Sequence, residues 1–385
     1  MTNFSLSSAL KGALPVLIAG VVGCGGPADG IEELDLGKAA YEVRDLRKAE
    51  KLFEESLRCA PQDVDRLLLL ARVKLDLGEL AAARECLEKA AAVAGGDADV
   101  RMLGAQLAWH AKDYKRAADG FAALGADAKL DAETRSQALA GLGVVEMTCD
   151  RHHFARLAFL KAIRLDRRNA AAWYHLGLLY RDGFDYPEAA LEQFEIFVRL
   201  EASASPRVQK VQRSIIPALK ETVARAAADR PGAAKRDSAA SAAAIARAEA
   251  NEKKGAWKAA RQDYQAALTA DPLSFPAAVG LAKAWLKSDA TKNGQTKAFE
   301  NYKIACQLRP GSIATFLSAG ALAAQLGFHA QAVTIYSRAV AASPTSGEAL
   351  DGLVRAFGRA GRQAAIAKAY QAYRDSLRTQ SKKRK

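Results

Sequence analysis

The chain has 385 residues, of which half are hydrophobic and 7% aromatic, and it contains only 11 Pro. This composition excludes an intrinsically disordered chain and suits packed helices. The net charge of +13 is unevenly spread: residues 1–204 carry 26 Lys+Arg against 31 Asp+Glu, and residues 205–385 carry 30 against 12. The first part is therefore mildly acidic at −5 and the second strongly basic at +18. A basic surface favours an anionic partner, such as an acidic protein, an anionic lipid or a nucleic acid, or it serves only solubility.

The chain begins with a short apolar segment. Lys11 precedes an apolar run over 13–22, which ends at Gly23-Cys24. As a helix the dozen residues 13–24 would span about 18 Å, too short for the ~30 Å hydrocarbon core of a membrane. A short apolar run behind a basic residue, ending in small residues, is typical of a removable export signal.

Val21-Val22-Gly23-Cys24 also resembles the bacterial lipobox, in which the cysteine is acylated and becomes the mature amino terminus. The resemblance implies a signal peptide over 1–24, lipidation of Cys24 and a flexible tether over 25–30. It places the protein on the periplasmic side of the cell envelope, and Gly25 favours the outer membrane over the inner one. The alternative is a frayed amino-terminal segment on a cytoplasmic protein.

After residue 30 the sequence repeats itself with a period of about 34 residues. The clearest copy lies at 170–204, and its pattern is formed by Trp173, Leu176, Gly177, Tyr180, Tyr186, Ala190 and Phe194. Similar copies lie at 30–63, 64–97, 98–130, 136–169, 241–274, 275–312, 313–346 and 347–378. Small residues at the Gly and Ala positions let two antiparallel helices approach closely, and large residues three and four positions away fill the gaps.

This pattern resembles the tetratricopeptide repeat, whose first helix carries W…LG…Y and whose second carries A…F…A before a proline. The resemblance covers about 300 of the 385 residues. It implies an all-α fold, a right-handed α-solenoid of about nine helix-turn-helix repeats in two blocks. The first block would be 31–204 with five repeats, and the second 241–378 with four.

The segment between the blocks, 205–240, is predicted to be a capping helix and a linker. Ser205-Pro206 is a favourable helix start, and an apolar stripe at helical spacing follows it. The stripe consists of Val208, Val211, Ile215, Leu219 and Val223. We expect a kink near Pro217 and a break at 229–232, and beyond the second block a basic tail at 379–385.

No catalytic, cofactor-binding or metal-binding pattern is found, so the sequence predicts a protein that is not an enzyme. His152-His153 is the most suggestive pair, yet adjacent helical residues point about 100° apart and would not share a metal easily. The five cysteines show no CxxC or zinc-type spacing, and the four after Cys24 are expected to be small core residues. Trp173, Trp257 and Trp285 occupy repeat-packing positions, which favours a core role over ligand stacking.

In tetratricopeptide proteins the first helix of each repeat lines a groove in which partner peptides lie. The groove positions fall here on Leu68, Arg72, Leu75, Tyr174, Leu178, Arg181, Lys283, Lys287, Leu317, Arg355 and Arg359. The resemblance thus implies a partly apolar groove in the first block and a basic one in the second. The Lys/Asn/Lys/Arg set that clamps a chaperone's terminal carboxylate in one subtype is absent from these positions.

The function expected from these features is a non-catalytic protein-interaction scaffold, tethered by lipid in the periplasm, that recruits partners for envelope assembly, secretion or pilus biogenesis. Its partners would be proteins, some with acidic segments, and no cofactor or specific nucleic acid is expected. Two alternatives remain: a cytoplasmic adaptor for acidic proteins or nucleic acid, and an accessory subunit of a polysaccharide-export complex.

Overall fold

The computed structural model describes residues 30–228, 236–361 and 363–383, and within these ranges every regular element is a helix. The helices up to residue 151 are α1 (Ile31–Glu42), α2 (Leu46–Cys59), α3 (Val64–Asp76), α4 (Leu80–Ala94), α5 (Ala98–His110), α6 (Tyr114–Ala126) and α7 (Ala132–Thr148). The following ones are α8 (His152–Leu165), α9 (Ala170–Leu178), α10 (Pro187–Leu200), α11 (Pro206–Lys210), α12 (Ile216–Ala228), α13 (Ser238–Lys253), α14 (Trp257–Ala270), α15 (Phe275–Ser288), α16 (Lys292–Leu308), α17 (Ile313–Gln325), α18 (His329–Ala342), α19 (Gly347–Arg359) and α20 (Ala364–Lys383). The prediction of an all-α solenoid of helix-turn-helix repeats is confirmed.

Several sequence predictions lie outside the described residues. These are the signal peptide over 1–24, lipidation at Cys24, the tether up to residue 29 and the break at 229–232. The expected basic tail at 379–385 is described only in part, and its backbone is helical as far as Lys383.

Tight turns join the two helices of a repeat, and their backbone explains part of the sequence pattern. Positive φ angles occur at the turn residues Arg44, Gly78, Lys112, Asp150, Gly255 and Gly327. Glycine adopts this conformation at little cost, whereas other residues lose about 1–2 kcal/mol. Directly after Arg44 and Lys112, the Asp45 and Asp113 carboxylates accept backbone N–H groups of the next helix, and such caps contribute about 1 kcal/mol each.

Aromatic rings of the second helices pack against glycines of the first helices. A Cβ added to Gly141 on α7 would lie 2.7 Å from the Phe121 ring of α6. The Tyr264 ring of α14 fills the space above Gly280 of α15 in the same way. Because no side chain fits between ring and backbone there, the glycine is part of the helix-helix contact.

The contacts divide the chain into two compact units. Unit 1 comprises the described residues up to Arg151 together with Lys161–Ala172, and unit 2 comprises His152–Leu160 and the described residues from Trp173 onward. These limits differ from the blocks expected from sequence, since the first half of α8 and all of α10 belong with the later repeats.

The capping segment expected at 205–240 is irregular in its middle. α11 and α12 are joined by a single π-helical turn at Val211–Ile215. Pro217 follows two residues later, and its backbone nitrogen carries no hydrogen to donate to the helix. Val208, Val211 and Leu219 are buried, and α12 packs along α10. The apolar stripe therefore covers the last hairpin before it.

Candidate interaction surfaces

The apolar residues predicted to line a groove in the second and fifth repeats are buried. Leu68 and Leu75 on α3 are 7% and 6% exposed and belong to the core of unit 1. Tyr174 and Leu178 on α9 are each 8% exposed. Their assignment as partner contacts stays a prediction, but these side chains offer a partner little apolar surface.

The charged residues predicted beside them are also constrained. Arg72 is half-buried, and Arg181 forms an ion pair with its neighbour Asp182, with 2.7 Å between Nη2 and Oδ2. The carboxylate of Asp182 raises the pKa of Arg181 through this hydrogen bond. Arg72 is thus partly covered, and the charge of Arg181 is compensated by its neighbour.

The second half presents a different surface on α15, α17 and α19. These three helices each begin at a serine: Ser274, Ser312 and Ser346. Because the starts are equivalent, residues at the same number of positions after the cap occupy the same face of each helix. The ninth and thirteenth positions are Lys283 and Lys287 on α15, Ala321 and Gln325 on α17, and Arg355 and Arg359 on α19, and all six are exposed.

We call Lys283, Lys287, Arg355 and Arg359 the basic face. Among the described residues, no carboxylate forms an ion pair with any of these four side chains. By contrast Arg374 and Arg378 of α20 both bind Asp351, with Arg378 Nη2 and Asp351 Oδ2 2.9 Å apart. Arg355 also lies near the Tyr336 hydroxyl and helps to counteract the rise that burial causes in the pKa of Tyr336. The basic face is thus exposed and uncompensated, and half-buried Leu317 on α17 adds apolar surface.

A buried polar cluster in unit 2 was not foreseen from the sequence. Arg156 on α8 is 0% exposed, and its Nε donates to the Tyr370 hydroxyl at 2.6 Å. Its Nη1 donates to the Ser337 carbonyl at 3.0 Å and to the Ser337 hydroxyl at 2.9 Å. The guanidinium also lies over the rings of Phe184 and Tyr370, 4.9 and 5.1 Å from their centres. We call these four residues the arginine cluster.

The arginine cluster holds its charge without a carboxylate partner among the described residues. Hydrogen bonds and aromatic faces stabilise the buried cation instead. His153 packs edge-on against Phe184 and Tyr370, and its Nδ1 lies 3.3 Å from the Tyr370 hydroxyl. Burial, with the nearby charge of Arg156, lowers the pKa of His153 to about 3, so the imidazole is neutral. The cluster joins α8 to α18 and α20, so its role is structural.

The thiols and histidines offer little for metal chemistry. In the described part of the chain no three of the His, Cys, Asp and Glu side chains form a group suited to a metal ion. Cys86 and Cys306 are buried, as expected for core residues, and burial raises the pKa of Cys306 to about 12. The core expectation is wrong for Cys59, which is exposed at the end of α2. Trp173, Trp257 and Trp285 are half-buried in the repeats, and Arg261 lies 4.1 Å above the Trp285 ring.

Membrane-spanning potential is also absent from the described helices: none is both long and apolar enough to cross a bilayer.

Antiparallel helix pairs, closed by tight turns and interlocked by ring-to-glycine contacts, define a helical-repeat protein of the α-solenoid class. The tetratricopeptide-repeat family model matches residues 40–107 and again residues 152–205. The chain therefore contains tetratricopeptide repeats, as its sequence pattern predicted. This fold is in general a non-catalytic scaffold, and it implies protein–protein interaction.

Solved structures with a similar fold share little sequence with the chain, and no curated protein matches it. MamA from Desulfovibrio magneticus RS-1 is 20% identical over 46% of this chain and 98% of its own, with a TM-score of 0.35. Pseudomonas aeruginosa PilF is 19% identical over 52% of this chain and 93% of its own, with a TM-score of 0.40. The first tetratricopeptide domain of Spaghetti (RPAP3), solved with an HSP90 peptide, is 20% identical over 32% of this chain and 94% of its own, with a TM-score of 0.28.

Proposed function

We propose that this protein is a non-catalytic scaffold that binds acidic segments of partner proteins on its basic face. A lipid on Cys24 holds it to the cell envelope, facing the periplasm, and its partners belong to envelope assembly, secretion or pilus biogenesis. The observation that carries the binding part is the set of four exposed, uncompensated cations at equivalent positions of α15 and α19.

Each cation alone contributes little. An exposed pair between a lysine or arginine and a carboxylate is commonly worth less than about 1 kcal/mol. Lys283 and Lys287 are one helical turn apart, as are Arg355 and Arg359, so an acidic segment lying across α15, α17 and α19 meets two pairs. Ala321 and Gln325 between the pairs carry no charge and do not repel it.

The binding part is tested by charge reversal in the full chain. The double change Lys283→Glu and Lys287→Glu should weaken binding of a labelled octaglutamate peptide at least 10-fold, because it replaces two attractions by two repulsions. Reversal of Lys115 and Arg116, exposed on α6, is the matched control and should leave affinity within about twofold. Binding should also fall as salt shortens the Debye length below about 8 Å.

The same two variants, used in a pulldown from envelope extract washed at rising salt, extend the test to natural partners. Partners that persist through high salt and ignore the reversal at Lys283 and Lys287 would mean that the basic face serves only solubility.

The envelope part is tested at the lipidation site. Cys24→Ala should leave an uncleaved precursor and abolish labelling by a palmitate analogue, and the wild-type chain should fractionate with membranes. Wild-type protein that is soluble and retains Met1 would refute the tether and favour the cytoplasmic adaptor. This result would leave the basic face and its peptide assay unaffected.

A further inference from the structure

Unit 2 contains a cleft whose lining includes none of the four basic-face residues. It has a volume of about 360 Å³ and lies between the start of α10, the second half of α18 and the turn that precedes α17. This size is near the lower end of the range for ligand pockets, ~300–1,000 Å³, and suits one or two side chains with a stretch of backbone.

The walls of the cleft are held in place by contacts between segments far apart in sequence. Tyr186, 6% exposed, directs its hydroxyl to the Thr334 carbonyl at 3.5 Å. The Arg338 guanidinium lies 4.9 Å above the Tyr186 ring, and its Nη2 approaches the Asp185 carbonyl at 3.5 Å. Tyr186 also stacks on Phe184, with the ring centres 5.4 Å apart. The cleft is therefore preformed by packed side chains.

The two carboxylates in the cleft lack ion-pair partners within the described residues. Glu188 and Glu192 lie one turn apart on α10, and neither forms an ion pair with a described residue. Like charges at this spacing destabilise a helix by a few tenths of a kcal/mol, and a bound cation would relieve the repulsion. On the opposite wall, the Nε of Arg338 is buried and has no hydrogen-bond acceptor in the described structure. The cleft thus offers two anionic acceptors, while the Arg338 guanidinium is held on the opposite wall by the Asp185 carbonyl and the Tyr186 ring.

Phe316, Ala341 and Ala342 supply the apolar part of the lining. An apolar ligand would leave the carboxylates desolvated, and an acidic ligand would be repelled by Glu188 and Glu192. A lysine or arginine side chain suits the wall formed by Glu188 and Glu192, since its stem packs on apolar surface while its charged end reaches the carboxylates.

From this arrangement we propose that the cleft is a second peptide-binding site, which takes an extended protein segment through one lysine or arginine side chain. Glu188 and Glu192 bind the cation, and the apolar lining packs against the stem that carries it. The site is independent of the basic face and has the opposite charge preference.

The test uses the full chain and three fluorescent pentapeptides, acetyl-Ala-Ala-X-Ala-Ala-amide, where X is arginine, norleucine or glutamate. Fluorescence anisotropy should show the arginine peptide binding at least 10-fold more tightly than the norleucine peptide. Glu188→Gln with Glu192→Gln should abolish this preference. The control, Glu85→Gln with Glu88→Gln on α4, removes the same two charges from an exposed helix of unit 1 and should leave the preference unchanged.

A third variant separates the roles within the site. Arg338→Lys keeps the positive charge but loses the guanidinium contacts with the Asp185 carbonyl and the Tyr186 ring that hold this wall, so all peptides should bind several-fold more weakly while the arginine preference remains. Addition of the arginine peptide should also slow hydrogen exchange at the start of α10 and the end of α18. Equal binding of arginine and norleucine peptides, or a preference that survives the Glu188 and Glu192 changes, would overturn the proposal.

Discussion

Replacing Tyr370 by phenylalanine removes one atom from the arginine cluster, and the structure predicts a clear loss of stability. The Tyr370 hydroxyl accepts the Nε–H of Arg156 at 2.6 Å, and both residues are 0% exposed. Without the hydroxyl, a donor on a fully buried cation has neither protein nor solvent to bind. A hydrogen bond to a charged group contributes about 1.5–3 kcal/mol, so Tyr370→Phe should lower the free energy of unfolding of unit 2 by about 2–3 kcal/mol.

Tyr180→Phe in the same region is the matched control. Tyr180 is also 0% exposed, but its hydroxyl has no hydrogen-bond partner among the described residues. Its burial raises the pKa of the phenol, in keeping with an environment that does not solvate charge. Burying a hydroxyl without a hydrogen-bond partner costs free energy, and Tyr180→Phe removes this cost. The substitution should therefore be neutral or raise the free energy of unfolding by up to about 1 kcal/mol.

The two variants are compared with the wild-type chain by urea denaturation, followed by circular dichroism. Because repeat proteins do not always unfold in one step, hydrogen exchange in α18 and α20 should be measured alongside. Tyr370→Phe should accelerate exchange there, and its thermal midpoint should fall by about 4–12 °C. Equal effects of the two substitutions, or a cost of Tyr370→Phe under about 0.5 kcal/mol, would refute the reasoning.

Three further predictions concern packing and protonation. Tyr264→Ala should cost on the order of 3 kcal/mol through lost burial and a residual cavity, seen as a lower urea midpoint with faster hydrogen exchange in α14 and α15. Gly352→Ala should cost about 1–3 kcal/mol, because the added methyl group would overlap an aromatic ring of α18. Gly358 on the same helix has open space around it, so Gly358→Ala should be neutral or stabilise the fold by up to about 1 kcal/mol in the same denaturation assay. Burial, with a nearby arginine, lowers the pKa of both His153 and His175 to about 3, whereas in the unfolded chain each lies near 6.5. Between these two pKa values the unfolded chain binds more protons than the folded one. The free energy of unfolding should therefore fall as the pH drops below about 6.5, by about 1.4 kcal/mol per pH unit for each histidine. His153→Gln should remove one of these two contributions, which is checked by urea midpoints measured between pH 7 and pH 5.

The hairpins were predictable from the sequence because their determinants are local. The turn glycine Gly327, the cap Asp45 and the ring-to-glycine pair Tyr264 and Gly280 act over a few residues or between neighbouring helices. A period of about 34 residues therefore contains most of the information that each repeat needs.

Repeat phase alone does not predict how exposed the groove positions are. It places Leu68 five residues after the cap Asp63 and Lys283 nine residues after the cap Ser274, both on the expected groove side, but it does not say how far neighbouring helices cover them. Leu68 is 7% exposed and Lys283 is exposed, because an apolar side chain gains by packing and an ammonium group loses by it. The basic half of the prediction thus corresponds to exposed surface more closely than the apolar half does.

The arginine cluster and the cleft could not be predicted at all. Arg156 and Tyr370 are separated by 214 positions, and Tyr186 and Thr334 by 148. Such contacts depend on rotations that accumulate from repeat to repeat, and no periodic pattern in the sequence records them. The one available signal was Arg156 itself, a charged residue directly after the core position Ala155.

Charge compensation separates surfaces that serve the fold from surfaces that are open to a partner. Lys74 on α3 binds Glu50 and Glu54 at 2.8 and 3.0 Å, and a partner's carboxylate would have to displace these bonds before gaining any of its own. Lys283 on the basic face and Glu188 in the cleft have no such bonds among the described residues, so a partner gains the new interaction without losing an old one. Under the two proposals, unpaired charges of both signs in unit 2 are therefore where a partner gains binding energy.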